Sequence, residues 1–436
     1  MRNVRPRVQG VRGAPDILPE QSAAWQRVEV RCRRLLAAYG YTEIRTPVFE
    51  RTELFIRAIG EGTDIVEKEM YTFTDKGGES LTLRPEATAA VVRAVHEHNL
   101  LSEGRPVKVY YIGPMFRRER PQSGRFRQFH QIGVEAIGVQ GPGVDAEMLA
   151  LLLHLFEEWG LPDLELHLNS IGDPLCRPSY VERLTGFLRS RKAKLCRDCQ
   201  GRLGRNPLRV LDCKNPGCRA VTAHAPKSID FLCDPCADHF RGLRELLDAL
   251  DVKYELDPRL VRGLDYYTRT AFELVNPALG AQNAVAGGGR YDGLAKEIGG
   301  KAIPGIGFAI GLERVVTSLE ARGRQGGEAP AAQSLEGAFV ATVGRDAFKE
   351  GLLLVQKLRR ADVRTGLDLR GEGDRSLRSQ LREADKKRYR FVVILGEDEL
   401  EKREVTLKDM KGGGQESIPL GEVVDRLARA KQGEPC

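Results

Sequence analysis

The stretch that most constrains the fold of this chain runs from Tyr110 to Gly138, with the sequence YYIGPMFRRERPQSGRFRQFHQIGVEAIG. Turn residues between Glu119 and Gly124 separate two alternating segments, which predicts two strands joined by a polar loop. Alternation directs every second side chain to the same face of a strand. One face therefore gathers a cation, two carboxylates, an amide and an aromatic ring, contributed by Arg117, Glu119, Phe129, Gln131 and Glu135.

These side chains predict a binding surface for a nucleotide. Arg117 and Arg125 suit phosphates, because a planar guanidinium donates two parallel hydrogen bonds to phosphate oxygens. Phe129 offers a ring on which a base can stack, and Glu119 can accept a hydrogen bond from an exocyclic amine. An Arg-rich hairpin is more often a solvated surface, but solvation does not explain Phe129 and Gln131 inside a charged stretch.

Length and composition set broad limits on the class of protein. A chain of 436 residues predicts two or three domains. A net charge of +7 and a pI of about 8.9 are compatible with an acidic partner such as nucleic acid. No apolar run reaches the length of a membrane span, and no apolar segment of a secretory signal follows the basic N-terminus. The sequence has nine cysteines, an odd number, and six of them lie between positions 196 and 236; this pattern favours a reducing cytoplasm over a disulfide framework.

Three strings carry a resemblance to a known family. Phe116 to Glu119, followed by a loop and a strand, resembles motif 2 of the class II aminoacyl-tRNA synthetases, and its continuation through Gln131 is similar to the histidyl-tRNA synthetase family. Arg262 to Tyr267 (RGLDYY) resembles the signature that sets the histidine-specific members apart, and Asn283 to Leu294 (NAVAGGGRYDGL) resembles their second specific segment. Taken singly, the last two strings also fit a core strand and a tight hairpin.

Two weaker resemblances agree with this family. The helix predicted from Gln21 to Tyr39 and the strand predicted from Tyr41 to Glu50 resemble motif 1, which forms the dimer interface in the family. The strand-to-helix segment from Gly305 to Val316 fits motif 3, whose arginine, here Arg314, binds ATP. The sequence has no Walker A string and none of the class I synthetase strings, which leaves ATP to the arginines.

The resemblance implies an α+β catalytic domain built on an antiparallel sheet, formed by residues 1–168 and 253–325. Residues 169–252 are expected to form an inserted, cysteine-rich helical module, and the aperiodic residues 326–336 a linker. Strand and helix patterns alternate over residues 337–436, which predicts an α/β domain with a mostly parallel sheet. This last part resembles the anticodon-binding domain attached to several class II synthetases.

The resemblance also assigns roles to individual residues. The implied catalytic residues are Arg117, which would hold the α-phosphate, and Arg262, which would be a fixed cation where related enzymes use a metal ion. Binding of ATP falls to Arg117, Glu119, Arg125, Phe129 and Arg314. Binding of histidine falls to Glu86, Ala87, Thr88, Gln131, Glu135, Tyr266, Tyr267 and Tyr291. The acceptor end of the tRNA would be within reach of Gln122 and Arg127.

The cysteine-rich segment leaves two hypotheses open. Two Cys-x-x-Cys pairs have the spacing of the arms of a tetrahedral thiolate zinc site, with the ligands Cys196, Cys199, Cys233 and Cys236. The gap between the pairs is longer than in the commonest zinc ribbons, and a third pair between them adds surplus ligands. A structural Zn²⁺ and free cysteines packed as small hydrophobic residues are therefore equal alternatives.

The implied function is that of a histidine-tRNA ligase. Such an enzyme activates L-histidine with ATP and Mg²⁺ to histidyl-adenylate and transfers it to the 3′ end of tRNA(His), here as a cytoplasmic homodimer without membrane association. The first alternative is a non-catalytic, synthetase-like regulatory subunit of histidine biosynthesis. Two further alternatives are an RNA-binding protein without chemistry and a class II-like ligase that joins a small acid to a protein. Histidine-dependent ATP–pyrophosphate exchange separates all four.

Overall fold

The structure is a computed structural model that describes residues 8–101, 105–121, 124–324, 336–370 and 374–431. Contacts within the chain divide it into two compact units, Met1–Gly327 and Glu328–Cys436. Among the described residues, none of the helices combines the length and the apolarity that crossing a bilayer requires.

The described part of the first unit contains helices on both faces of a central sheet. The α-helices are α1 (Pro19–Ala38), α2 (Thr52–Ile59), α3 (Thr88–Glu97), α4 (Pro142–Glu158), α5 (Arg177–Arg189), α6 (Arg197–Arg202), α7 (Pro216–Thr222), α8 (Asp234–Ala249), α9 (Leu294–Glu297) and α10 (Leu312–Arg324). Shorter helical turns are a π-helix at Ile65–Glu69 and 3₁₀ helices at Lys192–Lys194, Pro207–Val210, Ser228–Phe231 and Pro277–Gln282. The strands are β1 (Thr42–Glu43), β2 (Phe49–Arg51), β3 (Tyr71–Thr74), β4 (Ser80–Leu83), β5 (Val107–Phe116), β6 (Gln128–Ile137), β7 (Glu165–Ser170), β8 (Glu255–Leu256), β9 (Thr268–Val275), β10 (Ala284–Arg290) and β11 (Gly305–Gly311).

Eight of these strands form the central sheet, in the order β1-β5-β6-β11-β10-β9-β7-β8. The inner pairs of strands run antiparallel, and only the two edge pairs, β1 with β5 and β7 with β8, run parallel. The predicted α+β class with an antiparallel sheet is therefore confirmed. A small second sheet has the order β2-β4-β3.

The predicted hairpin supplies the strands β5 and β6, with Tyr111 opposite Gly133. Strand β6 also pairs with β11, which places Glu135 opposite Gly307. The strand predicted from Tyr41 to Glu50 is instead interrupted between β1 and β2, because Pro47 has no N–H to donate to a ladder.

Each face of the central sheet has its own apolar core. Alternation sends Ile132 and Val134 of β6 into the core that contains residues of α1 and α4. The opposite core contains Tyr111 together with residues of α2 and α3. Gln131 and Glu135 of β6 point to this second face, where Thr88 of α3 donates a hydrogen bond to Glu135.

A fully buried ion pair ties helix α4 to the central strands. Arg290, at the end of β10, donates to the carboxylate of Asp145 and to the carbonyl O of Val139, the latter at 2.6 Å. Asp145 also accepts a hydrogen bond from Thr270 Oγ1 at 2.6 Å and pairs with His239 Nε2 at 2.9 Å. Removal of one charge of such a pair leaves the other uncompensated in the core.

Between β7 and β8 the chain forms α5 to α8 and three of the 3₁₀ turns. This segment has a separate small core that includes Leu184, Leu188, Cys199, Val210 and Cys218.

The second unit contains a five-stranded sheet with helices packed against it. Its strands are β12 (Ala338–Thr342), β13 (Thr365–Leu367), β14 (Phe391–Leu395), β15 (Glu404–Asp409) and β16 (Gln415–Pro419). Its described helices are α11 (Arg345–Arg360), α12 (Leu377–Lys386), α13 (Glu397–Lys402) and α14 (Val423–Lys431). The order of the strands is β13-β12-β14-β15-β16.

The predicted α/β class of this second unit is confirmed, but the sheet is mixed and not mostly parallel. Strand β12 pairs in parallel with β13 and β14, whereas β14 with β15 and β15 with β16 are antiparallel. The six residues of α13 are too few to carry the chain back across the sheet, so β15 returns beside β14 in the opposite direction. Neither α13 nor β16 was predicted from the sequence.

Replacing Arg290 by leucine is expected to lower the free energy of unfolding of the first unit by about 3–5 kcal/mol, the range for breaking a buried ion pair. Urea unfolding followed by tryptophan fluorescence measures this loss, because Trp25 and Trp159 both lie in the first unit. The control is Arg34→Leu, which removes only an exposed pair with Glu158 and should cost less than about 1 kcal/mol. Equal losses in the two variants would contradict a stabilising role for the buried pair.

Candidate active site

A cleft of about 300 Å³ opens on the central sheet of the first unit. Its lining includes all residues predicted to bind ATP, both predicted catalytic arginines and one residue predicted to bind histidine: Arg117, Glu119, Arg125, Phe129, Gln131, Arg262 and Arg314. The remaining lining residues include Glu273 of β9, Glu313 of α10 and the start of β10. Segments that are far apart in sequence thus converge on one cavity.

Arg117 follows directly after β5. Its Nε donates to the carbonyl O of Pro85 at 3.0 Å, and its guanidinium lies 5.3 Å from the centre of the Phe129 ring. A cation at this distance is attracted to the negative face of the ring. The two contacts fix the guanidinium beside an aromatic surface, which is the arrangement that a phosphate and an adjoining base require.

Arg262 enters the cleft from the loop that precedes β9. Its Nη1 pairs with Glu273 Oε1 at 2.9 Å, and its guanidinium lies 5.8 Å from the centre of the Tyr267 ring. The guanidinium also lies against the backbone of β10, where a Cβ on Gly287 would collide with it. The glycine run of β10 therefore makes room for this arginine.

Two further arginines lie close together at the other side of the cleft. Arg125 pairs with Glu119 Oε2 at 3.2 Å, and Arg314 donates to the carbonyl O of Ala284. Burial lowers the pKa of Arg314, and the nearby charge of Arg125 lowers it further. Because the two positive charges repel each other, binding of an anion between them is favourable.

Glu135 is fully buried and lies on the same face of β6 as the cleft residue Gln131. It accepts hydrogen bonds from Thr88 Oγ1 at 2.7 Å and from the Tyr291 hydroxyl at 2.6 Å. Burial raises the pKa of Glu135 to about 8, and the two hydrogen bonds oppose this shift only in part. A buried carboxyl group with a raised pKa is stabilised by a partner that donates a hydrogen bond or carries a positive charge, and an imidazole can do both.

Several tyrosine side chains lie around Glu135. The rings of Tyr266 and Tyr267 lie 4.7 Å apart, and those of Tyr266 and Tyr291 are 6.0 Å apart with an edge-to-face orientation. A Cβ on Gly133 would collide with the ring of Tyr111, which is a further tyrosine of this face. The glycine in β6 thus admits an aromatic ring that the sequence alone did not assign to the site.

Glu86, Ala87 and Thr88 form the start of α3 next to Glu135. The carboxylate of Glu86 accepts hydrogen bonds from the backbone N–H groups of Thr88 at 2.6 Å and Ala89 at 3.1 Å. Burial raises the pKa of Glu86, while these backbone donors lower it. Ala87 is fully buried, so a larger side chain has no room there.

Besides Glu119 Oε2, which is ion-paired with Arg125, two buried polar atoms in the cleft have no hydrogen-bond partner within the described part of the chain, Gln131 Oε1 and Arg262 Nε. An unpaired buried acceptor or donor costs about 1–3 kcal/mol. A ligand that donates to the Gln131 oxygen and accepts from the Arg262 nitrogen would remove both penalties.

Several contacts of the site were not predicted from the sequence. Glu313, in the first turn of α10, accepts from the backbone N–H of His130 at 2.8 Å and pairs with its Nδ1 at 3.0 Å. Asn206 of the cysteine-rich segment donates to Asp265 Oδ1 at 2.9 Å. Both contacts join elements that are distant in sequence, so no local pattern could have indicated them.

Of the two residues predicted to reach tRNA, the structure describes only Arg127. Gln122 lies outside the described residues. Arg127 is described but does not line the cleft; its Nε donates to the carbonyl O of Glu119 at 3.4 Å and its backbone N–H donates to the carbonyl O of Gly13 at 2.6 Å. In these contacts Arg127 holds the loop of the hairpin.

The prediction that four cysteines form a single zinc site is wrong, because the structure does not bring these four residues together. The pairs Cys196/Cys199 and Cys233/Cys236 lie in two different clusters. The first pair lies with Cys213 and Cys218, and the second with Asp173 and Cys176. A Cys-x-x-Cys spacing fixes only which two thiols are neighbours, and the fold of the intervening chain decides which other thiols they meet.

The fold is similar to solved structures of one class of enzyme. The apo histidyl-tRNA synthetase of Staphylococcus aureus superimposes with a TM-score of 0.80 at 38% sequence identity, covering 97% of this chain and 100% of that chain. The fold alone is shared with the enzyme from Nostoc sp. PCC 7120, with a TM-score of 0.68 at 21% identity over 97% of this chain and 100% of that chain. The fold and the arginine-lined cleft define a class II aminoacyl-tRNA synthetase.

Sequence comparison identifies the family within this class. The family model "Histidyl-tRNA synthetase" matches residues 13–179 and 219–315, and the family model "Anticodon binding domain" matches residues 337–430. A histidine–tRNA ligase of Desulfitobacterium hafniense is 51% identical over 414 residues, which are 95% of this chain and 96% of the relative. One from Desulforudis audaxviator is 52% identical over 422 residues, 97% of this chain and 99% of the relative. The chain belongs to the histidyl-tRNA synthetase family and is therefore a ligase of the aminoacyl-tRNA synthetase type.

The raised pKa of Glu135 predicts a pH-dependent loss of stability. The ionised form is disfavoured in the folded protein, so stability is greatest below 4.5, the ordinary pKa of a glutamate, and falls as the pH rises towards about 8. In Glu135→Gln this contribution is absent. The wild type should therefore lose stability relative to the variant by up to about 1.4 kcal/mol per pH unit between about pH 5 and pH 7.5.

Urea unfolding of both proteins at matched pH values, followed by tryptophan fluorescence, measures the difference. All other titrating groups are common to the two proteins and cancel. A difference in stability that does not change with pH would contradict the assignment of a buried, mainly protonated carboxyl.

Proposed function

We propose that this chain activates L-histidine with ATP to form histidyl-adenylate and pyrophosphate, and then transfers the histidyl group to the 3′ end of tRNA(His). The observation that carries the proposal is the meeting of Arg117, Arg262 and Arg314 in one cleft beside the buried Glu135. Phosphate-binding cations and a carboxyl suited to imidazole are the two recognition elements that this reaction needs.

Activation is an in-line attack of the histidine carboxylate on the α-phosphorus of ATP, with pyrophosphate as the leaving group. Both reactants are anions, so catalysis consists mainly of positioning and of charge neutralisation. Arg117, fixed by Pro85 and Phe129, would hold the α-phosphate and orient the carboxylate. Arg262, fixed by Glu273, would neutralise the charge that develops on the α-phosphoryl oxygens.

The rest of ATP would occupy the other side of the cleft. Arg125 and Arg314 would hold the distal phosphates, and adenine would stack on Phe129 with its exocyclic amine near Glu119. Mg²⁺ supplies further charge neutralisation of these phosphates when it is bound. The cleft also offers carboxylate oxygens, the type of ligand that Mg²⁺ takes, from Glu273 and Glu313.

Histidine would bind with its side chain in the buried pocket. Glu135 would pair with an imidazole nitrogen, with Tyr267 opposite and Tyr291 closing the pocket, while Tyr266 packs beside them. The amino acid backbone would reach Glu86, Thr88 and the unpaired Gln131 Oε1, which is an acceptor suited to the ammonium group. A pocket built from paired hydrogen bonds rejects amino acids that lack those groups, so no editing site is required.

The second substrate is a tRNA, which is supported by the match to an anticodon-binding domain over residues 337–430. We further propose that the loop of the hairpin, with Gln122 and Arg127, approaches the acceptor end. A homodimer formed through α1 and β1 follows from the resemblance of this segment to motif 1, and sedimentation velocity would measure it. Cytoplasmic localisation is proposed from the family's part in translation.

The regulatory-subunit alternative is not favoured. Relatives named histidine–tRNA ligase match at about half identity over nearly the full chain. Both the catalytic and the anticodon-binding family models match as well. A solved structure named as a regulatory subunit or histidyl-tRNA synthetase, from Bacillus halodurans, shares the fold at 20% identity with a TM-score of 0.63, over 90% of this chain and 99% of that chain.

The deciding experiment is histidine-dependent ATP–pyrophosphate exchange with the purified full chain. Exchange that requires histidine supports the proposal. The absence of exchange in a folded protein that still binds RNA would support a silent or purely RNA-binding protein, and exchange with a different acid would indicate another ligase.

Replacing Arg262 by alanine should leave binding of ATP and histidine measurable but lower the exchange rate by about 10²-fold or more, the scale for one preorganised charge. The control is Arg259→Ala in the same loop, which removes a partly exposed contact with Asp257 outside the cleft and should change the rate by less than about threefold. Equilibrium binding of each substrate, measured by calorimetry, separates lost binding from lost catalysis. Near-wild-type exchange in Arg262→Ala would contradict the role proposed for this arginine.

A further inference from the structure

The strongest unassigned cluster lies in the cysteine-rich segment between β7 and β8. The Sγ atoms of Cys196, Cys199, Cys213 and Cys218 all lie within 4.8 Å of one another. Cys196 is next to α6, Cys199 lies within α6, Cys213 lies in the loop after the 3₁₀ helix Pro207–Val210, and Cys218 lies within α7. Three separate turns of chain thus bring four thiols to one point.

The spacing of these sulfurs is close to that of a tetrahedral metal site. A Zn–S bond of about 2.3 Å places the sulfurs of a regular tetrahedron about 3.8 Å apart. The Cys196 and Cys213 sulfurs are 3.9 Å apart, too far for a disulfide and close to this value. The other sulfurs would need to move by less than about 1 Å to reach it.

Two features of the surroundings would stabilise thiolates bound to a metal ion. The backbone N–H of Cys196 donates to Cys218 Sγ at 3.1 Å, and a hydrogen bond from an amide stabilises an anionic sulfur. Cys199 and Cys218 are fully buried, so a metal bound there would be shielded from water. Positions 190–220 carry nine basic residues against two acidic ones, which favours the net charge of −2 that four thiolates on one divalent cation create.

A crosslink would add stability to the short helices of this segment, whose own core is small. The helices that carry the cysteines, α6 and α7, have only six and seven residues. Helices shorter than about 12 residues are marginal without tertiary support. Small modules with limited cores commonly obtain that support from a structural metal or from disulfides.

We propose that Cys196, Cys199, Cys213 and Cys218 bind one structural Zn²⁺ ion as a tetrathiolate. Binding displaces four thiol protons, which pass to the solvent, and no electron is transferred. Four sulfur ligands in tetrahedral geometry select Zn²⁺ or iron among the biological metals, and a closed site without an open position is structural. The family model leaves residues 180–218 unmatched, so this site is a property of the segment itself and not of the family match.

The bound ion would position a part of the active site. The chain between Cys199 and Cys213 carries Arg202 and Arg205, which pair with Asp64 at 3.1 Å and Glu67 at 2.9 Å. The same chain carries Asn206, whose side chain holds Asp265 in the loop from Arg262 to Tyr267. Fixing both ends of this chain on one ion would therefore brace the loop that presents Arg262.

The neighbouring cluster of Asp173, Cys176, Cys233 and Cys236 provides a matched comparison. The carboxylate of Asp173 already accepts hydrogen bonds from the backbone of Leu175 at 3.0 Å and of Cys176 at 3.3 Å. Arg269 lies 3.8 Å from its other oxygen. Because protein groups satisfy this carboxylate, the cluster carries no metal proposal, and Cys233→Ser serves as the control.

Elemental analysis of the full chain, purified under reducing conditions without chelators, tests the proposal. We expect about one equivalent of zinc per chain to be lost on changing Cys213 or Cys218 to serine, and retained in Cys233→Ser. Wild-type protein that contains less than about a tenth of an equivalent and takes up none when Zn²⁺ is added would overturn the proposal. So would zinc that survives both substitutions, or iron in place of zinc.

A second measurement covers the case in which a serine variant does not fold. In the wild-type protein, the bound ion should protect four thiols from a thiol-reactive reagent, and a chelator should expose them with stoichiometric release of zinc. Added Co²⁺ should then give the thiolate-to-cobalt absorption of a tetrahedral sulfur site. Absence of both effects would overturn the proposal. Because neither readout depends on catalysis, the result is independent of the exchange assay.

Discussion

The site depends on keeping several guanidinium groups close together before any anion is bound. Like charges in a partly buried cleft repel one another more strongly than in water. The protein offsets this by giving each cation a fixed partner within the protein: Pro85 and Phe129 for Arg117, Glu273 for Arg262, Glu119 for Arg125 and the carbonyl of Ala284 for Arg314. In the proposed function, nucleotide phosphates would meet cations that are already held in place.

Glycines on the central strands make this arrangement sterically possible. Gly287 leaves room for the guanidinium of Arg262, Gly307 for the carboxylate of Glu135, and Gly133 for the ring of Tyr111. Gly307 and Gly133 each lie directly opposite the residue that they admit in the pairing of strands. Glycines lower the intrinsic stability of these strands. They are nevertheless required here, because any side chain at these positions would collide with a neighbouring polar or aromatic group.

The cysteine-rich segment supports a part of the cleft from outside the central sheet. The loop from Arg262 to Tyr267 approaches the cleft without the support of a strand, since β9 begins only at Thr268. Its outer side is held by Asn206 through Asp265. The position of Arg262, the arginine proposed to be catalytic, therefore depends in part on the small, separate core of this segment. A metal ion that crosslinks that core would stabilise it further.

The sequence by itself determined the local features of this protein. Alternation from Tyr110 to Gly138 predicted the hairpin and the shared face of Arg117, Gln131 and Glu135, and the periodic pattern from Gln21 to Tyr39 predicted a helix near α1. These features depend on residues close in the chain, so local periodicity is enough to reveal them.

Only the tertiary structure decided which distant residues meet. The pairing of Glu135 with Gly307, the approach of Arg262 to Glu273 and the division of the cysteines into two clusters all join separate segments. The return of β15 beside β14 likewise depended on how far α13 could carry the chain. These contacts are determined by strand register and by the conformation of the loops, and neither can be recognised from the local periodicity of the sequence.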